Sequence, residues 1–404
     1  MITMASPPRT LTGTRLLSGG EAAAHAMRQA RPAVVPVFPI TPQTPIIETF
    51  ARFVASGASD AEIIRAESEH SAMSAAIGAA AAGARTMTAT ASQGLALMIE
   101  VVYIAASMRL PITMVVGNRA LSGPINIHCD HGDGMLARDT GAIQLFVQDA
   151  QEAYDFVLMA TRLAEHRAVR LPVLVEMDGF TLTHSSEPVA LLDDDEAMDF
   201  LGAHRGSDPL LNVKRPVTHG PFAMPDYYYE FRRQQEAAIA AAATVWPEVA
   251  GDFAARSGRA YELLDRYRLE DAERAILLLG ATAGTVKDVV DARRANGEKV
   301  GLLVLRAFRP FPTVAVRAAL EGVRAVAVLD RAVSPGGPPP LFATVAAELH
   351  GAGPRLRSYV YGLGGRDLQP ADVETVFQEL LEDTRPGSPR HLGVREDNGK
   401  EATL

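Results

Sequence analysis

The sequence predicts an α/β protein with a parallel sheet in each of two domains and helices on both faces of the sheet. Apolar runs of strand length alternate with helical stretches over residues 33–176. The alternation stops near residue 203 and resumes at residue 272. This order is typical of parallel strands joined by crossover helices. We predict a first domain over residues 1–262, with a connecting segment from about residue 203, and a smaller domain over residues 263–404.

Each element of the first domain follows from a local pattern. The predicted strands are residues 33–40, 62–66, 86–91, 112–117, 142–147 and 171–176. The predicted helices are residues 21–29, 46–55, an alanine-rich stretch that ends at Gly83, 95–108 and 150–165. Residues 1–19 are expected to form a tail. Pro39 and Pro42 stiffen the turn at Thr41 because each fixes its own φ, and Pro42 also restricts Thr41.

Residues 203–262 break the alternation. Their glycine and proline residues are expected to interrupt regular structure, while Tyr227, Tyr228, Tyr229 and the single tryptophan, Trp246, predict a segment that packs against the rest of the chain. In the second domain we predict strands at residues 275–280, 300–306 and 325–330 and helices at 282–295 and 314–320. The polar tail from residue 384 is expected to be mobile or to form an arm against another subunit.

The composition is that of an ordinary globular protein. Of 404 residues, 48% are hydrophobic and 22% charged. The net charge of −9, without any basic run, argues against nucleic acid or an anionic membrane as partner. The sequence shows neither a signal peptide nor an apolar run of about 18 residues, which predicts a cytoplasmic protein. Cys129 is the single cysteine, so the chain alone can form neither a disulfide nor a cluster held by several thiolates.

Polar side chains follow four successive predicted strands. They are Thr41, then Glu67 and Glu69, then Ser92 and Gln93, then Asn118 and Arg119. Ligands of open α/β sheets bind beyond the carboxyl ends of the strands. We therefore predict a functional cleft at this edge of the first sheet.

The acidic pair precedes a helix unusually rich in alanine and glycine. Gly78 and Gly83 leave room for another backbone or a flat ligand. A carboxylate at a helix N-terminus also complements the helix dipole. The residue pattern alone therefore leaves open whether Glu67 and Glu69 are functional or structural, and which of them matters.

Several motifs argue against other chemistries. Gly132-Asp133-Gly134 lacks the asparagine about thirty residues later that a metal-diphosphate motif requires, since the next asparagine is Asn212, and we predict a turn. The neighbouring His128, Asp130 and His131 lack helical metal-ligand spacing, so no metal site is predicted. Residues 362–365 are predicted to form a turn. No Gly-x-Gly-x-x-Gly follows the first strand, and no Walker lysine is present.

Several motifs together carry a family resemblance. They are Phe38-Pro39-Ile40-Thr41-Pro42, Ser68-Glu69, Thr90-Ala91-Ser92-Gln93-Gly94, Arg119-Ala120-Leu121-Ser122, Asp130-His131, Arg138-Asp139-Thr140-Gly141, Arg309-Pro310-Phe311 and Val328-Leu329-Asp330-Arg331. With these motifs the chain resembles, over nearly its whole length, the α subunit of the 2-oxoacid:acceptor oxidoreductases, the pyruvate:ferredoxin oxidoreductase family. The resemblance implies a thiamine-diphosphate pyrimidine-binding domain with a parallel sheet, followed by a transketolase C-terminal-like α/β domain.

The resemblance also implies cofactors and partners. Thiamine diphosphate and Mg²⁺ would be shared with, and mostly held by, a β subunit. Coenzyme A would be the co-substrate, and [4Fe-4S] clusters would lie in other subunits, none in this chain. Ferredoxin-like γ and δ subunits and an external electron acceptor are the other implied partners.

The resemblance assigns roles to five residues. Glu69, and not Glu67, matches the glutamate that binds the aminopyrimidine ring and promotes its imino tautomer. Thr41 and Arg119 match residues that contact the substrate carboxylate, and a guanidinium suits that ligand. Arg119, Pro39 and Ile125 are also implied beside the cofactor. A structural Arg119 paired with Asp130 or Asp133 is the alternative.

The implied reaction is the oxidative decarboxylation of a 2-oxoacid to an acyl-CoA and CO₂, with pyruvate as the default substrate. Branched-chain, 2-oxoglutarate and aromatic members share the same motifs. A stand-alone thiamine decarboxylase would need the diphosphate motif in this chain. A non-catalytic scaffold subunit remains the other alternative.

Overall fold

The computed structural model describes residues 13–204, 206, 208–351, 353–382 and 388–395. The strands are β1 (Thr14–Ser18), β2 (Val34–Val37), β3 (Glu62–Arg65), β4 (Thr86–Thr90), β5 (Ile112–Asn118), β6 (Ile143–Phe146), β7 (Val173–Asp178), β8 (Ser186–Ala190), β9 (Leu264–Tyr267), β10 (Arg274–Leu279), β11 (Val300–Leu305), β12 (Ala307–Arg309), β13 (Ala325–Asp330), β14 (Arg355–Val360) and β15 (Arg390–His391).

The α-helices and one 3₁₀ helix connect these strands. They are α1 (Gly19–Ala30), α2 (Thr44–Ala55), α3 (Glu69–Ala81), α4 (Ser92–Ser107), α5 (Gly132–Ala137), α6 (Ala150–Glu165), α7 (Asp194–Leu201), α8 (Pro225–Ser257), α9 (Ala283–Ala295), α10 (Thr313–Ala319), α11 (Pro340–Glu348), the 3₁₀ helix η1 (Leu363–Gly365) and α12 (Pro370–Glu379). No helix of the described ranges is both long and apolar enough to cross a membrane.

The larger sheet has the strand order β12-β6-β7-β5-β4-β2-β3. All pairings among β2 to β7 are parallel, as predicted from the alternation of strands and helices. Every residue of β4, β5, β6 and β7 is buried, so neither face of these strands is exposed to solvent. β4 buries three threonines, Thr86, Thr88 and Thr90, in addition to its apolar residues. The carboxyl ends of all six parallel strands therefore lie at one edge of the sheet.

The smaller sheet has the order β15-β14-β13-β10-β11-β9. It is parallel except for β9, which runs antiparallel to β11. The predicted tail is only partly described. Its residues 390–391 form β15 and pair with β14 in the same chain, so this part is not a free tail. The arm against another subunit stays a prediction. Residues 384–387 and 396–404 lie outside the described ranges.

One strand corrects the sequence-based prediction at the start of the first domain. Residues 14–18 are not tail but the strand β1, which pairs antiparallel with β8. Ser18 and Glu21 then form a capping box at the start of α1. Residues 363–365 form the turn-like η1, in agreement with the predicted turn, and the backbone N–H of Gly365 donates to the carbonyl of Cys129 at 2.7 Å.

Within the connecting segment, α8 is a helix of 33 residues, which contradicts the expected lack of regular structure. Its alanine-rich middle favours a helix strongly enough to accommodate Pro247. Trp246 is buried, and its indole N–H donates to the carbonyl of Tyr261 at 3.2 Å, so it packs as predicted. Tyr227, Tyr228 and Tyr229 are instead exposed, and for them the predicted packing within this chain is wrong.

The two sheets are joined by backbone pairing and by buried charge. β12 follows β11 of the smaller sheet but pairs antiparallel with β6 of the larger one. Asp178 at the end of β7 accepts from Arg331 Nη1 and contacts His131 Nε2, both at 2.7 Å. His131 and Arg331 hold the pKa of Asp178 down at about 2 despite its burial. The domain boundary near residue 262 stays a prediction.

Candidate active site

Four neighbouring strands deliver the predicted polar residues to one edge of the larger sheet. β5, β4, β2 and β3 lie side by side, and Arg119, Ser92, Thr41 and Glu69 follow their respective carboxyl ends. Direct contacts link these loops. Arg119 Nη1 donates to the carbonyl of Thr41 at 2.9 Å, and Ser92 Oγ donates to the carbonyl of Ala120 at 2.6 Å.

The two glutamates of the acidic pair have different environments. Glu67 is exposed and accepts a hydrogen bond from Ser71 Oγ at 2.5 Å, which lowers the pKa of Glu67. Ser68 is the N-cap of α3 and accepts from the N–H of Ser71 at 3.2 Å. Glu69 is the first residue of α3 and is only 7% exposed. Glu69 lies in the first turn of α3, where its charge complements the helix dipole, whereas Glu67 lies before the N-cap. The dipole does not account for the burial of Glu69, which needs another explanation.

Glu69 lies against the start of α4. A Cβ placed on Gly94 would be 2.8 Å from Glu69 Oε1 and 2.5 Å from Thr90 Oγ1, so a side chain at position 94 would collide with both. Thr90 Oγ1 is buried without a hydrogen-bond partner. No described residue donates a hydrogen bond to the Glu69 carboxylate. Glu69 as a residue is largely buried while its carboxylate has no donor among the described residues, so the site fits a ligand that brings an N–H group to Glu69.

Arg119 is 7% exposed and its guanidinium is held by backbone. Nε donates to the carbonyl of Asn126 at 3.0 Å and Nη1 to that of Thr41. In the described ranges no carboxylate lies within salt-bridge distance of it, so the alternative ion pair with Asp130 or Asp133 is not formed there. Nη2 makes no hydrogen bond with the described residues and can meet a ligand.

The other two predicted ring-lining residues lie in exposed loops. Pro39 follows β2 and is exposed. Ile125 lies in the loop between Arg119 and α5, and its side chain is 78% exposed. Burial of so exposed an apolar side chain by a ligand or a second chain is favourable. The positions alone do not bring either residue into contact with Glu69, and both roles stay predictions.

Gly132-Asp133-Gly134 begins helix α5, so the predicted turn is wrong. Asp133 is fully buried, and its Oδ2 accepts from the N–H groups of Ser92 at 2.8 Å and Arg119 at 3.0 Å. The carboxylate thereby satisfies backbone donors that the ends of two strands leave unpaired. Gly134 is required because a Cβ there would be 2.0 Å from Glu176 Oε2.

The histidines and acids of the same loop do not converge on a metal. His131 contacts Asp178, whereas Asp130 Oδ1 accepts from the N–H of Gly132 at 2.9 Å. Potential ligand atoms of Cys129, His131 and Asp178 do lie within 4.8 Å of one another. Arg331 already neutralises Asp178, and burial raises the pKa of the Cys129 thiol, so this group is poorly suited to a cation.

Sequence reasoning missed the buried acids Asp133, Glu176 and Asp178. For Asp178 a signal existed: the apolar run of β7 continues through Met177 to an acid at the strand end, two residues beyond the predicted end of the strand. For Asp133 the signal was an acid between two glycines, but only its metal-binding meaning was considered.

The fold and the site define a two-domain α/β subunit of the kind found in 2-oxoacid oxidoreductases and transketolases. The structure superimposes on a 2-oxoglutarate:ferredoxin oxidoreductase from Magnetococcus marinus with a TM-score of 0.72 at 20% identity, covering 94% of this chain and 67% of that one. A split-gene transketolase gives a TM-score of 0.55 at 14% identity, covering 90% and 98%. These likenesses confirm the predicted fold.

The sequence comparisons identify the family. Residues 25–250 match the model for the thiamine diphosphate-binding region of pyruvate flavodoxin/ferredoxin oxidoreductases, and residues 272–373 match core domain II of pyruvate:ferredoxin oxidoreductase. The chain therefore belongs to the pyruvate:ferredoxin oxidoreductase family. It is similar to pyruvate synthase subunit PorA of Thermotoga maritima, with 53% identity over 94% of this chain and 98% of the relative.

Two further relatives are subunits of enzymes that act on pyruvate and on ketoisovalerate by name. Pyruvate synthase subunit PorA of Methanocaldococcus jannaschii is 44% identical over 96% of this chain and 100% of the relative. Ketoisovalerate oxidoreductase subunit VorA of Pyrococcus abyssi is 41% identical over 91% and 93%. The predicted class, an enzyme subunit of the 2-oxoacid:acceptor oxidoreductase type, is confirmed.

Proposed function

We propose that this chain supplies the ring-binding half of a thiamine diphosphate site in a CoA-acylating 2-oxoacid:acceptor oxidoreductase. The carrying observation is Glu69, a nearly buried carboxylate beside Gly94 that receives no hydrogen bond from the described residues. The ring N–H that the aminopyrimidine carries in its imino tautomer is the donor that this carboxylate lacks. When bound, thiamine diphosphate supplies the nucleophilic carbon and the electron sink for decarboxylation.

Glu69 would hold a proton at the ring nitrogen and so favour the imino tautomer. A carboxylate shielded from water does this well because competing solvent hydrogen bonds are excluded. Pro39 and Ile125 would cover the ring, and Ile125 loses its exposure when it does so. Gly94 leaves room for the Glu69 side chain itself, because a Cβ at residue 94 would be 2.8 Å from Glu69 Oε1.

Arg119 and Thr41 would bind the carboxylate of the 2-oxoacid. Two of the guanidinium nitrogens are fixed on the carbonyls of Asn126 and Thr41, which orients the remaining Nη2 without loss of side-chain freedom on binding. Thr41 is exposed beside it, and its hydroxyl can donate a second hydrogen bond to the substrate.

The rest of the machinery belongs to partner chains in this proposal. Asp133 is committed to backbone N–H groups and Cys129 is the single cysteine, so a β subunit would hold the diphosphate with Mg²⁺, and other subunits would hold the [4Fe-4S] clusters. The proposal also includes ferredoxin-like γ and δ subunits, coenzyme A as acyl acceptor, an external electron acceptor and a cytoplasmic location.

Pyruvate is the proposed substrate. The relatives of highest identity reported above are both pyruvate synthase subunits, at 53% and 44%, whereas the ketoisovalerate relative stands at 41%. Comparison of kcat/KM for pyruvate, ketoisovalerate and 2-oxoglutarate in the assembled complex tests this choice of substrate. A clear preference for either of the other two acids would contradict it.

The exchange Glu69→Gln tests the proposed function, and Glu67→Gln is its matched control. Both variants are made in the assembled complex, and CoA-dependent oxidation of the 2-oxoacid is measured. Glu69→Gln should lower kcat by about two to four orders of magnitude, the usual contribution of positioned proton transfer. Glu67→Gln should leave kcat nearly unchanged, because Glu67 is exposed and bonded only to Ser71 among the described residues. Full activity of Glu69→Gln would instead support a scaffold subunit.

A further inference from the structure

One buried carboxylate, that of Asp133, is bonded to the backbone at two neighbouring strand ends of the candidate site. Asp133 Oδ2 accepts from the N–H groups of Ser92 and Arg119, at 2.8 and 3.0 Å. Its Oδ1 accepts from Asn118 Nδ2 at 3.0 Å and from the N–H of Gly134 at 2.8 Å. The carboxylate therefore joins the carboxyl ends of β4 and β5, which are adjacent in the sheet.

The backbone that Asp133 holds is strained. Ser92 has a φ of 48°, in the left-handed region that non-glycine residues avoid. The bond from its N–H to Asp133 favours this conformation, and Ser92 Oγ donates to the carbonyl of Ala120 at 2.6 Å. Gly94, against which Glu69 packs, is two residues further on. Asp133 is thus connected to Arg119 directly and to Glu69 through the turn at Ser92.

A second buried acid lies beside Asp133. Glu176 Oε2 accepts from Asn118 Nδ2 at 2.7 Å, so the amide of Asn118 bridges the two carboxylates. Gln144 Nε2 donates to Glu176 Oε1 at 2.6 Å. Glu176 receives only side-chain amide donors, whereas Asp133 also receives three backbone N–H groups. The donors favour the charge on Asp133 and the proton on Glu176.

The direction of the pKa shifts agrees with this assignment. Burial and the neighbouring Asp133 raise the pKa of Glu176 to about 8. Burial raises the pKa of Asp133 only to about 6, because the hydrogen bonds from Asn118, Arg119 and Ser92 oppose the rise. Both the donors and the directions of the pKa shifts favour the negative charge on Asp133 and the proton on Glu176.

We propose that Asp133 is a positioning residue, which fixes Arg119 and the Ser92 turn for catalysis without contact with substrate. This inference rests on the proposed function, because it acts through the role of Arg119 in binding the 2-oxoacid carboxylate. In its neutral form, Glu176 accepts from Asn118 without adding a second negative charge beside Asp133. The Gly-Asp-Gly sequence thus serves the site by internal hydrogen bonding, in place of metal binding.

The exchange Asp133→Asn tests the proposal in the assembled complex. An amide cannot accept at its nitrogen, so at least one backbone N–H loses its acceptor. We expect the KM for the 2-oxoacid to rise about tenfold or more, the scale of one hydrogen bond to a charged group. The KM for coenzyme A should stay unchanged. Glu176→Gln, which mimics the protonated acid, is the matched control and should leave both constants unchanged.

Coupling to Arg119 distinguishes positioning from general stability. If Asp133 acts through Arg119, the double variant with Arg119→Lys should have a KM no higher than the worse single variant, because effects in one network are not additive. An unchanged KM for the 2-oxoacid in Asp133→Asn, or equal changes for both substrates, would overturn the proposal. An unchanged KM in Arg119→Lys alone would count against the proposed function itself.

If Asp133→Asn does not assemble, Asn118→Ser removes one donor to Asp133 and should raise the KM for the 2-oxoacid. No rise in that KM would overturn the proposal.

Discussion

Glu67 and Glu69 are separated by one residue, and the start of a helix gives them opposite environments. Ser68 is the N-cap, so Glu67 stays outside α3 and points to solvent, whereas Glu69 begins the helix and turns toward α4. The sequence predicts two acids at a helix mouth, but only the packing of α4 distinguishes them. The family resemblance selects Glu69, and burial gives that choice a physical reason.

Arg119 combines two roles that a conservative exchange can separate. Arg119→Lys keeps the charge but loses the planar fork. If the guanidinium binds the substrate carboxylate, kcat/KM for the 2-oxoacid should fall by about tenfold or more, the scale of a charge-assisted hydrogen bond. Steady-state kinetics of the complex and thermal melting of the full chain check this. A lower melting temperature with unchanged kcat/KM would show that the bonds to Asn126 and Thr41 are its main contribution.

At the scale of elements, the site depends on how closely α3 and α4 approach. Ala72, Met73 and Ala76 of α3 pack with Leu95 and Met98 of α4 in one buried cluster. Small residues allow this approach, as expected from the alanine-rich sequence. The expectation for Gly83 is also met, because a Cβ there would be 2.8 Å from Pro209. At Gly78 no atom of the described residues lies within 4 Å of such a Cβ, so nothing in this part of the chain requires that glycine.

This contrast gives a matched pair of glycine exchanges. Gly94→Ala places a Cβ 2.8 Å from Glu69 Oε1, so the carboxylate must move, and turnover of the complex should fall by at least about tenfold, the scale of a misplaced catalytic group. Gly78→Ala should keep turnover and stabilise α3 by about 0.5–1 kcal/mol. Turnover and denaturant unfolding are measured for both. Full turnover in Gly94→Ala would show that the position of Glu69 does not limit catalysis.

The elements differ in how well local sequence predicts them. The strands β4 to β7 are predicted to within about two residues, because strands buried on both faces consist mostly of apolar and β-branched residues. The 33-residue α8 is missed, since Pro247 and the nearby glycines and prolines outweigh its alanines in a local reading. The role of Asp133 is missed for another reason. Its donors are the backbone N–H groups of Ser92 and Arg119, which are distant in sequence and cannot be recognised from residue types.

At the scale of the whole molecule, the two sheets are fixed to each other behind the site. β12 extends the larger sheet, and Arg331, which follows β13 of the smaller sheet, donates to Asp178 at the end of β7. His131, the residue before α5, also contacts Asp178. The candidate ligand residues nevertheless all come from strand ends of the larger sheet. In the proposed function the chain contributes Glu69 to bind the ring and Arg119 to bind the substrate carboxylate, whereas Asp133 of its Gly-Asp-Gly motif is bonded to groups of this chain.

We therefore expect a second chain to complete the cofactor site. Calorimetric titration of thiamine diphosphate with Mg²⁺ into the isolated chain, and into the assembled complex as the positive control, tests it most directly. We expect saturable binding by the complex and no binding at micromolar cofactor by the chain alone. Micromolar binding by the isolated chain would contradict a site divided between subunits.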